Sequence, residues 1–212
     1  MSNSKYWMNN KKKIILIWSP KCACTSLHYG FIKNVCKITD DEDIRKLAKI
    51  YRYSRCNYNK IPKNYFIYWG IRDPYDRIVS CYMNKFILYE KRRLNKNNLE
   101  SFSQDILKQI GIDYNNLTFN KFLYGIQDLM SKNVNIDSHF NTQININNYN
   151  KIKNHSNLTI FDINNIPEIF GNYKKNVTEI QDNITIEDFC NIKAKDIDIN
   201  LLSKKNFINS KN

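Results

Sequence analysis

Ile14 to Trp18 (IILIW) is a run of five apolar residues, three of them isoleucines. A continuous, short, β-branched run predicts a strand buried on both faces, as in a parallel sheet. Ser19 and Pro20 end it, and apolar residues then recur at helical spacing at Leu27, Phe31 and Val35. Tyr65 to Ile71 (YFIYWGI) predicts a second strand, followed by a helix with Ile78, Tyr82, Phe86 and Tyr89 along one stripe. Asp73 suits that helix's cap, Pro74 its first position and Asp76 its first turn. The acidic run Asp40 to Asp43 reads as the start of an amphipathic helix carrying Ile44, Leu47, Ala48 and Tyr51. Further helices are predicted from Phe102 to Ile110, from the cap Thr118 to about Met130, and briefly over Pro167 to Phe170 and Ile186 to Ile192. Leu158 to Asp162 reads as a third strand.

A chain of 212 residues is long enough for one α/β domain with a sizeable core. The expected organisation is a polar, basic lead-in at 1–13, one domain at 14–203 and a polar tail at 204–212. Asn, Ile, Lys and Tyr dominate while Gly and Pro are few, as an AT-rich coding sequence would produce, so composition carries little weight by itself. The net charge of +13 comes from 26 Lys and 7 Arg against 20 acidic residues. Such a surface attracts anionic nucleotides, acidic glycans, nucleic acid or anionic membrane, although a merely solvated lysine surface has the same charge. Six cysteines (22, 24, 36, 56, 81 and 190) form no regular framework and no paired C-x-x-C, so no metal is expected. No apolar segment is long enough to span a membrane, and the N-terminal residues lack a signal-peptide core. A soluble intracellular protein is the default expectation. Asn-x-Ser/Thr triplets at Asn116, Asn154, Asn157, Asn176 and Asn183 are what so many asparagines generate by chance.

The chemistry gathers where the two predicted strands end. After the first stands P-K-C-A-C-T-S (Pro20 to Ser26), a tight loop with a lysine and two hydroxyls leading into a helix. Strand, loop and helix in that order aim backbone N–H groups and a helix N-terminus at an anion. The G-x-x-x-x-G-K-[ST] glycines of a nucleotide P-loop are missing, and the lysine precedes the loop. After the second strand stands R-D-P-x-x-R-x-x-S-x-Y (Arg72 to Tyr82).

The two motifs together resemble the phosphosulfate-binding and 3′-phosphate-binding motifs of sulfotransferases. The carbohydrate sulfotransferase family that includes the chondroitin 4-O and HNK-1 enzymes is the nearest likeness. Thr118 to Phe122 is similar to that family's T-F-x-x-F helix, and His139 to Gln143 to its H-[WF]-x-x-Q segment. Asp162 stands where the family often has Glu. The likeness runs in order over roughly residues 14–162.

The resemblance implies an α/β, P-loop-like three-layer domain with a central, mainly parallel sheet flanked by helices. It implies sulfuryl transfer from 3′-phosphoadenosine-5′-phosphosulfate (PAPS) to a hydroxyl acceptor, a carbohydrate. Lys21 would contact the phosphosulfate and neutralise the leaving phosphate. Cys22, Ala23 and Cys24 would offer backbone N–H groups, and Thr25 and Ser26 hydroxyls. Arg72 and Ser80 would bind the 3′-phosphate, which spacing alone does not bring together. Asp73 reads as a cap and Arg77 as a structural partner. A general base is sought among His28, His139 and His155; His139, within the family-like segment, is preferred. Gln143 is a further contact candidate. Two other readings stay open, a P-loop-like nucleotide kinase and a catalytically degenerate polyanion-binding protein. Arg/aromatic RNA motifs are absent, which argues against dedicated nucleic-acid recognition.

Overall fold

The computed structural model describes residues 5–38, 52–53, 61–88, 101–137, 139–140, 142–144, 146–171, 177–180, 186–197 and 202–205. The helix expected from Asp40 and the stripe position Tyr89 lie outside them. Two compact units divide the chain: 1–77 with 142–175 and 207–212, and 78–141 with 176–206.

The first unit is built on a five-stranded sheet in the order β3-β1-β2-β4-β5. Its strands are β1 (Lys5–Asn9), β2 (Ile14–Trp18), β3 (Arg52–Tyr53), β4 (Phe66–Ile71) and β5 (Leu158–Asp162). The three strands read from sequence, β2, β4 and β5, are neighbours and parallel, with Ile17 opposite Trp69 and Gly70 opposite Phe161. The other two pairings, β1 with β2 and β1 with β3, are antiparallel.

Strand alternation divides β2 between two cores. Ile14, Leu16 and Trp18 face Leu27, Phe31, Ile32, Val35 and Phe170, while Ile15 and Ile17 face Ile67, Trp69 and Ile152. Helix α1 (Cys24–Gly30) belongs to the first of these layers and continues as a π-helical turn over Phe31–Val35. Further along the chain, residues Ile146–Ile152 form a helix whose Tyr149 and Ile152 join the second layer. Helices therefore cover both faces, the three-layer α/β arrangement expected. Gly30 allows α1 to meet the 3₁₀ turn Glu168–Phe170, because a Cβ there would stand 2.2 Å from the Phe170 carbonyl oxygen.

The polar lead-in needs correcting. Residues 5–9 form β1, and Trp7 is fully buried opposite Leu16. The turn that returns the chain to β2 carries a lysine, Lys13, at φ 56°. It shows neither the glycine nor the Asn-Gly that marks a hairpin in sequence.

Helix α2 (Pro74–Tyr82) leads from the first unit into the second and continues as a π turn over Met83–Leu88. The second unit adds α3 (Ser101–Ile110) and α4 (Phe119–Ser131), both close to their expected bounds. Thr118 caps α4 by accepting the Lys121 N–H at 3.3 Å. Its core is aromatic, with Tyr82 ring contacts to Phe86, Phe119, Phe122 and Phe189. Numbering on from α4, the helix over Ile146–Ile152 is α5 and Ile186–Asn191 is α6. Strands β6 (Val177–Ile180) and β7 (Leu202–Lys205) pair antiparallel, so part of the expected polar tail is also strand.

Candidate functional site

At the end of β2 the chain turns sharply. Lys21 has φ 68° and Ala23 φ 48°, both left-handed, and Ala23 gives the first turn of α1 no side-chain cap. Left-handed φ costs a non-glycine residue about 1–2 kcal/mol. Left-handed residues in a tight turn direct N–H groups inward, toward an anion. Lys21 is half-buried and Thr25 exposed, whereas Ser26 is buried.

Cys22 takes a different part from the one expected. Its N–H donates to the Ser19 carbonyl at 3.2 Å and its thiol to Gln143 Oε1 at 2.8 Å, so both donors act within the protein. Burial, working against the nearby Arg77 charge, pushes that thiol up to about 12. It therefore stays protonated at neutral pH and serves as a hydrogen-bond donor.

The end of β4 is built differently. Asp73 Oδ1 accepts the Tyr75 and Asp76 N–H groups at 2.9 and 3.0 Å, capping α2 at Pro74 as the sequence predicts. Arg77, only 6% exposed, donates from Nε to the Pro20 carbonyl at 2.9 Å. Arg72 donates from Nη1 to the Lys21 carbonyl at 3.4 Å. The two strand ends are thus adjacent within the first unit, with two guanidinium groups at the β2 turn.

Gln143 joins them. Its Oε1 accepts the Arg72 N–H at 2.8 Å as well as the Cys22 thiol, and its Nε2 donates to the Arg72 carbonyl at 2.6 Å. Its own carbonyl accepts the Ser19 hydroxyl at 2.6 Å. Sequence reasoning placed Gln143 among contact candidates and missed this role. The one signal was its place in the H-F-x-x-Q segment.

Ser80 lies on α2 and His139 on the segment after α4, both in the second unit. Asp137 Oδ1 receives the His139 N–H at 2.9 Å and also pairs with the ring Nδ1. Burial alone would raise the Asp137 carboxyl, but the His139 N–H and ring, with Lys85, outweigh it and hold it below the usual range. An imidazole that donates Nδ1–H to a carboxylate carries its lone pair on Nε2, the atom a general base uses.

The other two histidines have local roles. His28 stacks on Trp7 with ring centroids 4.1 Å apart and meets Trp18 edge-on at 4.6 Å. His155 bridges loops, with Nε2 against the Pro62 carbonyl at 3.2 Å and Nδ1 accepting the Asn157 N–H at 3.3 Å. Asp162 caps the turn after β5 by accepting the Asn164 N–H at 2.7 Å.

Among the described residues no cluster of His, Cys, Asp and Glu could hold a metal ion, and no helix is long and apolar enough to cross a membrane. A family model described as "Sulfotransferase family" matches residues 4–189. No curated protein and no solved structure matches the chain significantly.

Proposed function

The chain belongs to the sulfotransferase family, whose chemistry is sulfuryl transfer, and from that premise we propose PAPS as the donor and a carbohydrate hydroxyl as the acceptor. The observation that carries this reading is the adjacency of the two strand ends, with the Arg72 guanidinium 3.4 Å from the Lys21 carbonyl. A donor with a phosphosulfate at one end and a 3′-phosphate at the other needs two such anion sites close together. The residues fit it: an α1 N-terminus without a side-chain cap, a lysine in the loop before it, and an arginine at the neighbouring turn. The net charge of +13 favours capture of a multiply charged ligand.

PAPS would supply the sulfuryl group. The acceptor oxygen forms a bond to sulfur as the bond to the bridging phosphate oxygen breaks, and negative charge grows on that bridging oxygen. Lys21 would neutralise it, assisted by the Ala23 and Cys24 N–H groups and the Thr25 and Ser26 hydroxyls. Arg72 would hold the 3′-phosphate, the contact that distinguishes PAPS from ATP. His139, held by Asp137, removes the acceptor's proton. The likeness of the motifs to those of chondroitin and HNK-1 enzymes supports a sugar acceptor.

Calorimetric titration tests the donor. 3′-Phosphoadenosine-5′-phosphate should bind in preference to ATP, and labelled PAPS should then pass its sulfuryl group to a glycan acceptor. Preference for Mg-ATP would return the chain to the kinase reading. Replacing His139 by Ala should abolish the pH-dependent limb of turnover, and near-wild-type activity across pH would remove it as the base.

A further inference from the structure

We propose that Gln143 is a positioning residue that sets the distance between the two anion anchors. The proposal rests on the reading of Lys21 and Arg72 as the anchors for the two ends of one nucleotide. Gln143 acts on the main chain of Arg72 and on Ser19 and Cys22, which flank Lys21. Through its side-chain amide it pairs with the main chain of Arg72 at both N–H and C=O, as a neighbouring strand would. Strand alternation turns that N–H and C=O toward β2, as at Phe66, whose N–H donates to the Lys13 carbonyl, so Gln143 continues this edge of β4 past Gly70, where β2 ends at Trp18.

The same oxygen that accepts the Arg72 N–H also accepts the Cys22 thiol, and the Gln143 carbonyl accepts the Ser19 hydroxyl. One residue therefore holds β2's exit at Ser19 and Cys22 and β4's exit at Arg72. The amide orientation is fixed by its partners, because two donors meet Oε1 and a carbonyl meets Nε2. Glutamine alone fits this set: glutamate lacks the donor, and asparagine is one methylene shorter. Cys22 completes it as a neutral donor, since its buried thiol resists ionisation.

Such a tie acts on a ligand that bridges both anchors and hardly on one that uses either alone. A bridging ligand gains from the second contact only when the anchors are held at the matching separation. The test measures binding of three probes to the full chain: 3′-phosphoadenosine-5′-phosphate, adenosine 5′-monophosphate and adenosine 3′-monophosphate. In Gln143→Ala the bisphosphate should lose about tenfold or more in affinity while each monophosphate loses less than about threefold. Gln143→Glu keeps the side-chain volume but lacks the donor to the Arg72 carbonyl. It should show the same selective loss at smaller size, and it carries the test if the alanine variant does not fold. Equal losses for all three probes, or an unchanged preference for the bisphosphate in a folded variant, would overturn the role of Gln143. A wild-type chain that binds the bisphosphate no better than the monophosphates would instead overturn the two-anchor reading itself.

Discussion

The exits of β2 and β4 are neighbours in one sheet, lead into helices, and solve the same problem in opposite ways. After β4, Asp73 caps α2 from the side chain and satisfies the N–H groups of Tyr75 and Asp76. An anion arriving there finds those donors occupied, so attraction must come from a side chain, and Arg72 is the one at the turn. After β2, Ala23 has no side chain to cap with, and the turn is made by two non-glycine residues at positive φ. The backbone there is strained, and Ala23 offers its helix start no side-chain cap. One exit is capped by a side chain of its own turn; the other is not.

Lys21→Gly should produce the largest effect on this contrast. Glycine accepts φ 68° without cost, so the turn persists while the charge is lost. Turnover with PAPS should fall on the order of 10²–10³-fold, as for removal of one charge-stabilising group, with no drop in melting temperature. Wild-type turnover in that variant would take Lys21 out of the mechanism.

Next in size is Arg72→Ala, which should weaken 3′-phosphoadenosine-5′-phosphate by about 10–100-fold, the loss of charged hydrogen bonds worth about 1.5–3 kcal/mol. Arg72→Lys should recover only part of this, because an ammonium cannot make the bidentate contact. Full recovery with lysine would reduce the site to simple charge.

Asp73→Ala should cost about 1 kcal/mol of stability, read as a lower denaturation midpoint, with nucleotide affinity little changed. A large loss of affinity there would mean that the α2 cap belongs to the site and would erase the contrast. Ala23→Gly, the mildest change, relieves a left-handed alanine and should raise stability by about 0.5–1 kcal/mol. No gain would imply that Ala23 is not strained.

Most of the site's local parts were legible in the chain. Asp73 as cap, Pro74 at the first helical position, Thr118 as cap of α4 and the buried run of β2 all follow from residues within four positions of each other. What escaped was the structure resting on contacts between distant residues. β1 was hidden because its burial depends on pairing with β2 and β3 and its turn lacks the usual residues. α5 was hidden because an asparagine-rich stretch shows no clear apolar period. Cys22 reads as a small loop residue in the chain, and only the fold brings its thiol to Gln143, 121 positions away.

The sequence by itself determined the strand, loop and helix order, the two motifs and hence the family, because helix caps, turns and strand alternation are set over a few residues. Only the tertiary structure decided that Arg72 lies against the Lys21 turn, 51 positions away, and that Gln143 ties together residues 71 to 124 positions from it. Bonds of that separation depend on which strands lie side by side, and strand order is a property of the packed sheet rather than of any segment within it.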